Sequence, residues 1–193
     1  MQFEKVKKFV LERLLEVLPP NLTYHSLEHT KDVYHSAERL AGLENISGED
    51  LQILLTAVLF HDAGFLQQQK NHELIGCDLA RKYLPDYDYN QDQIERICGM
   101  IMATKIPQTP ANKLEMIICD ADLDYFGRDD FFTVGNRLFD ELRTLGTIHS
   151  ENEWNLLQED FLEHHRYFTE SAKALRGDRK AEHLAVIKSK IIK

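Results

Sequence analysis

The hydrophobic positions along the chain recur at three- and four-residue steps, the period of an amphipathic helix. Phe3, Val6, Val10, Leu14 and Val17 form a first such stripe, closed by Pro19 and Pro20. Leu27, Thr30, Tyr34, Ala37 and Ala41 form a second, which ends near Gly42. Ser47, with Asp50 three residues on, resembles a helix start, although Asp stands where Glu or Gln is usual. From there Leu51 to Phe60 is nearly all apolar. A helix that is apolar on every side is a buried one, so this segment belongs at the centre of the fold. Further helices are expected over about 72–84, 91–103, 112–123, 130–145, 150–176 and 180–192. Pro107 and Pro110 mark a loop, and Gly127 and Gly146 mark helix ends. Alternating strand patterns flanked by hairpin turns are missing. The expected fold class is therefore all-α, with eight or nine helices in one domain spanning 1–193.

Composition narrows the picture further. A chain of 193 residues buries roughly 70% of its unfolded surface and needs no staples to build a core. Its 43% hydrophobic and 28% charged residues are ordinary globular values. A net charge of −9 argues against broad binding to nucleic acid or to an anionic membrane, since both require a basic surface. A phosphorylated substrate stays compatible with it, because a metal supplies local positive charge. Three dispersed cysteines without a C-x-x-C fit reduced thiols in a cytosol. No long apolar run and no signal-peptide pattern are visible, so a cytoplasmic protein is expected. Leftover apolar helix faces would allow a homodimer.

Nine histidines are unusual enough to carry chemistry. His61-Asp62 ends the all-apolar segment, where an uncompensated polar pair would be costly to bury. A divalent cation shared with other ligands removes that cost, and an imidazole with a carboxylate suits Mn, Fe, Co, Ni or Zn better than Ca. His29 borders the second apolar stripe and can turn inward. His25, one turn earlier, is expected to project beside it as a proton donor. Asp120 and Asp122 follow another apolar segment, Ile117-Ile118, and either can supply a further carboxylate. Two His and two Asp open to water would acidify that water and bind phosphoryl oxygens. No G-x-S-x-G elbow and no P-loop occur, which sets aside a serine nucleophile and an ATP-driven P-loop enzyme.

The order His29, His61-Asp62, Asp122 resembles the HD superfamily of metal-dependent phosphohydrolases. Residues 24–33, Tyr-His-Ser-Leu-Glu-His-Thr-Lys-Asp-Val, are similar to the Tyr-His-Asn-x-x-His-Ala-x-Asp-Val segment of cyclic-nucleotide phosphodiesterases, which share the HD-type core. Residues 59–64 resemble the HD segment itself, and residues 120–123 the terminal Asp segment. The resemblance covers about 22–126, with the helices of 130–192 expected to pack on it. It implies His29, His61, Asp62 and Asp122 as ligands of one divalent transition metal, Asp62 as the residue that orients or deprotonates water, and His25 as the proton donor. Ser26 stands where the phosphodiesterases carry Asn. No His-His pair lies between Asp62 and Asp120, so a second ion, Mg among the candidates, would be weaker and sit near Asp62, His72 and Glu73.

Other residues keep two readings. Asp120 is a ligand or an acceptor that orients a ligand histidine. Arg128 clamps a phosphate or pairs with Asp124, Asp129 or Asp130. Lys180 reaches a phosphate or lies in a solvated charge run. His164-His165 reads as an exposed histidine beside a core or interface one. Trp154, Phe161 and Phe168 recur at sevens and read as core. The expected activity is hydrolysis of a nucleotide or other small phosphoester, mono- or diester. The alternative is a metal-containing module that senses a nucleotide without cleaving it.

Overall fold

The computed structural model describes residues 1–192 and is all-α, with no strand among the described residues. Its helices are α1 (Phe3–Val17), α2 (Leu27–Leu43), α3 (Gly48–Phe60), α4 (His72–Tyr83), α5 (Gln91–Ala103), α6 (Lys113–Asp122), α7 (Phe131–Thr144), α8 (Glu151–His164) and α9 (Glu170–Lys190). Short 3₁₀ turns lie at Ala63–Leu66, Leu84–Tyr87 and Asp124–Gly127. None of the described helices is long and apolar enough to cross a membrane.

The all-apolar segment is the central helix. Every residue of α3 from Ile53 to Phe60 is buried, and α1, α2, α5 and α6 pack around it. α1 contributes Val6, Val10 and Leu14 from one face, as its stripe requires. Ser47 occupies the N-cap position of α3, but its side chain makes no capping bond. Real caps start several other helices. Asn90 and Gln93 form a reciprocal capping box on α5, and Asn112 accepts from Leu114 and Glu115 at the start of α6.

Two glycines set close backbone approaches near the end of α3. A Cβ on Gly76 would meet the Phe60 carbonyl oxygen at 2.6 Å, so only glycine lets α4 pack this tightly on α3. A Cβ on Gly64 would come within 2.0 Å of the His72 carbonyl oxygen. Gly64 thus permits the Ala63–Leu66 turn to seat the first residue of α4 against it.

The C-terminal third departs from the expected helix bounds. The break falls between α8 and α9, at residues 165–169, not near Gly177. The buried carboxylate of Asp120 fixes it. Asp120 Oδ1 accepts from Phe168 N at 2.7 Å, and Oδ2 accepts from Thr169 N at 2.8 Å and Thr169 Oγ1 at 2.7 Å. Thr169 then caps α9 by accepting from Ala172 N at 3.1 Å. Gly177 is carried inside α9, where the helix continues despite its weak propensity. Asp124, also buried, ties α9 to α2: it accepts from Arg176 Nε and Arg39 Nη2, each at 2.8 Å, and from Ser36 Oγ at 3.1 Å. These partners offset the cost of burying its charge and hold its carboxyl below the usual range.

Candidate metal centre

Three helix ends meet at one point. Ser26 caps α2, accepting from His29 N, and this puts His29 in the first turn facing inward. α3 stops at Phe60, so His61 and Asp62 lie just beyond its last turn. α6 ends on Asp122. One ligand atom from each of His29, His61 and Asp122 lies within 4.8 Å of the others. His29 Nε2 is 3.2 Å from Asp122 Oδ1, and His61 Nε2 is 3.5 Å from it. Asp62 Oδ2 flanks both imidazoles at 3.4 Å.

The residues present fit a divalent cation. His61 Nδ1 is 2.7 Å from the Val58 carbonyl oxygen, which can only accept. A ring proton therefore sits on Nδ1, and Nε2 is the nitrogen that faces the cluster, where a bound cation would take the place of its second proton. His61 Nε2 and Asp62 Oδ2 are both buried without a hydrogen-bond partner. Orphaned polar atoms facing one centre are what a bound cation satisfies. Burial opposes charge on His61, but Asp62 and Asp122 outweigh it and push its pKa up to about 9. Burial also opposes ionisation of Asp122, yet the His29 and His61 contacts dominate and hold it well below the carboxylate range. Among the described residues, this cluster concentrates negative charge where a cation would neutralise it.

His25 adjoins the cluster but not on α2. It precedes the Ser26 cap, so the helical register expected for it does not apply. A residue that sequence reading missed positions it instead. Glu141 of α7 is fully buried; its Oε2 accepts from Tyr24 N at 2.8 Å and His25 N at 3.0 Å, and its Oε1 pairs with His25 Nδ1. The His25 ring stacks on Phe65 with centroids 4.2 Å apart and lines the cavity described below. Burial disfavours the imidazolium, but Glu141, Asp62 and Asp122 more than compensate, and the pKa of His25 is raised. The signal for Glu141 was present: it occupies the apolar stripe of α7 set by Phe131, Val134, Leu138 and Leu142.

His72 and Glu73 also reach the site. His72 Nε2 is 3.4 Å from Asp62 Oδ1 and 3.6 Å from Glu73 Oε1. Asp62 thus offers one oxygen to the His29–His61 cluster and the other to His72.

Tyr24, His25, His29, Asp62, His72, Glu73 and Asp122 line one cavity of about 340 Å³, with His61 and Glu141 behind its wall. Its far wall comes from the 124–127 turn, α7 and α8, and is apolar, with Phe126, Leu142, Trp154 and Phe161 among its residues. Trp154 and Phe161 are therefore cavity wall as well as core.

Residues 26–124, about half the chain, match the HD domain family. This is an HD-domain protein. A relative from Clostridium beijerinckii, an uncharacterized protein, is 34% identical over 76 residues, covering 38% of this chain and 48% of that one. The match thus spans about half of that relative's length. Three solved structures share the fold. One is a predicted HD superfamily hydrolase from an uncultured Thermotogales bacterium, 19% identical, with a TM-score of 0.66 over 94% of this chain and 89% of that one. A Lactobacillus plantarum protein is 18% identical, with a TM-score of 0.71 over 97% and 94%. Bacillus subtilis YpgQ, in complex with ADP, is 16% identical, with a TM-score of 0.66 over 97% and 95%.

Several sequence candidates lie outside the HD site. Asp120 neither joins the cluster nor orients a ligand histidine, because both its oxygens are taken by residues 168 and 169. Arg128 forks onto Asp130 at 2.9 and 2.7 Å, reaches Asp32 at 2.7 Å and does not line the cavity. Arg128 is thus paired with neighbouring acids. Lys180 is half-buried and donates to the His165 carbonyl. His164 is exposed, whereas both ring nitrogens of His165 are buried.

Proposed function

We propose that this HD-domain protein hydrolyses a small phosphomonoester, and that the substrate is a nucleotide. The observation that carries the reading is the pair of orphaned ligand atoms, His61 Nε2 and Asp62 Oδ2, in a cluster that opens onto a cavity beside His25.

His29, His61, Asp62 and Asp122 would hold a divalent cation of the Mn, Fe, Co, Ni or Zn class, which would supply Lewis-acid charge and acidify water. The chain's own residues do the remaining work. Val58 fixes the His61 tautomer that presents Nε2. Asp62, ionised, accepts a hydrogen bond from the attacking water and aligns it with phosphorus. His25, kept protonated by Glu141, donates its Nε2 proton to the leaving oxygen. Tyr24 stands beside His29, their rings 4.7 Å apart, and narrows the approach to the cluster. His72 and Glu73 with Asp62 Oδ1 make the place for a weaker second ion such as Mg.

No lysine or arginine lines the cavity, so the bound cation would be the positive charge there to meet a phosphate, which favours a single phosphate over a chain. The apolar far wall suits a base, and a protein of the same fold in complex with ADP supports a nucleotide without deciding the number of phosphates.

The test begins with metal content by mass spectrometry, wild type beside Asp62→Ala. About one transition metal per chain, lost in the variant, is expected. Turnover of nucleoside monophosphates above the corresponding di- and triphosphates is expected to follow. Absence of metal after incubation with manganese overturns the reading. Nucleotide binding without turnover would make the protein a sensing module instead.

A further inference from the structure

Gln158 is the polar residue of the far wall that nothing in the chain explains. It sits on α8 between Trp154 and Leu162, on the stripe that also carries Leu157 and Phe161. It is only 7% exposed and lines the cavity. No hydrogen bond to its amide is present among the described residues. Its amide atoms keep some exposure, so water can meet them while the cavity is empty. A ligand that expels that water must supply its hydrogen bonds, and one that pairs with the amide does so.

The surroundings restrict that ligand. Trp154, one turn before Gln158 on α8, and Phe126 and Phe161 give the same cavity aromatic surface. An alkyl chain would fill the space but leave the amide unpaired. A sugar would pair with the amide but waste the aromatic wall. A planar heteroaromatic ring with adjacent donor and acceptor satisfies both. A carboxamide matches such an edge with two hydrogen bonds, as Gln does toward adenine, while aromatic side chains stack on the ring face.

We propose that Gln158 is the specificity-determining residue of this cavity and reads the edge of a nucleobase held at the end remote from the His29–His61 cluster. The inference rests on reading the cavity as a nucleotide site, and it assigns the base and the phosphate to opposite ends.

The experiment separates the two readings. Binding of adenosine, guanosine, cytidine and uridine to metal-loaded protein is measured by calorimetry, for wild type, Gln158→Met and Gln158→Leu. The best-bound nucleoside is expected to lose at least tenfold in affinity in both variants, with Tm unchanged or raised. Turnover of the matching monophosphate is expected to fall at least tenfold in kcat/KM, chiefly through KM, while ribose 5-phosphate turnover stays as in wild type. Equal nucleoside affinity in variant and wild type overturns the inference, as does wild type that binds no nucleoside. A lowered Tm with unchanged affinity makes Gln158 structural and overturns it too. Loss of nucleoside binding in a protein that hydrolyses no phosphoester leaves this inference standing and sinks the phosphohydrolase reading alone.

Discussion

Glu141 does for His25 what Val58 does for His61: each holds the Nδ1 side of an imidazole and so decides what Nε2 presents. The two supports differ in charge, and the difference sorts the roles. A neutral carbonyl keeps a proton on Nδ1 of His61 and leaves Nε2 as the nitrogen a cation would take in place of a proton. A buried carboxylate holds a proton on His25, suited to an acid. Glu141 touches no reacting atom and acts as a positioning residue. In Glu141→Gln the His25 pKa falls, because the ionic partner is gone. An acid must be protonated to work, so activity is lost as pH rises through its pKa. The basic limb of the kcat profile is therefore expected to move to lower pH, with kcat down about 10–100-fold at neutral pH. An unmoved limb would show that His25 is not the proton donor. Tyr24 N and His25 N also rest on Glu141, so circular dichroism of the variant is measured alongside the profile.

At the scale of elements, Asp120 and Asp122 lie two residues apart at the end of α6 and do unrelated work. Asp122 faces the histidines, and Asp120 pins the loop between α8 and α9. Asp120→Ala is expected to keep its metal while losing stability by about 2–3 kcal/mol, since it strips two backbone donors and a hydroxyl of their acceptor. Metal analysis beside denaturant unfolding checks this, and loss of metal with unchanged stability would reverse the assignment. The pair also marks where the sequence was legible. Stripes on α1 to α7 gave their helices because the period of burial is local. That His29, His61 and Asp122 would cluster was legible through the HD pattern, and His61-Asp62 and Asp122 also follow apolar runs, whereas His29 is marked by the resemblance alone. The α8–α9 break was not legible, since its cause is a carboxylate some fifty residues upstream, and Gly177 offered a plausible local breaker in the wrong place. Glu141 and Gln158 share one overlooked signature: each is a polar residue on an otherwise apolar helix stripe.

For the whole molecule, the cluster is a clasp between segments remote in sequence. His29 comes from α2, His61 and Asp62 from the end of α3, and Asp122 from the end of α6. A cation bound there is held by the folded chain and not by the unfolded one, so binding and stability are linked. With the metal at about 100 times its dissociation constant, stabilisation is about 2.7 kcal/mol. At about 2–4 °C per kcal/mol for a chain of this size, Tm is expected to rise by about 5–11 °C. The net charge of −9 acts in the same direction, because the cation neutralises carboxylates that otherwise repel. Thermal unfolding of chelator-treated protein, with and without manganese, measures the shift, and Asp122→Asn is expected to reduce it. Glu73→Gln is expected to leave most of it in place, because Glu73 serves the weaker position next to His72. A shift abolished by Glu73→Gln and untouched by Asp122→Asn would move the tightly held cation to the His72 side of Asp62. The chain would then meet the phosphate from the opposite oxygen of that carboxylate.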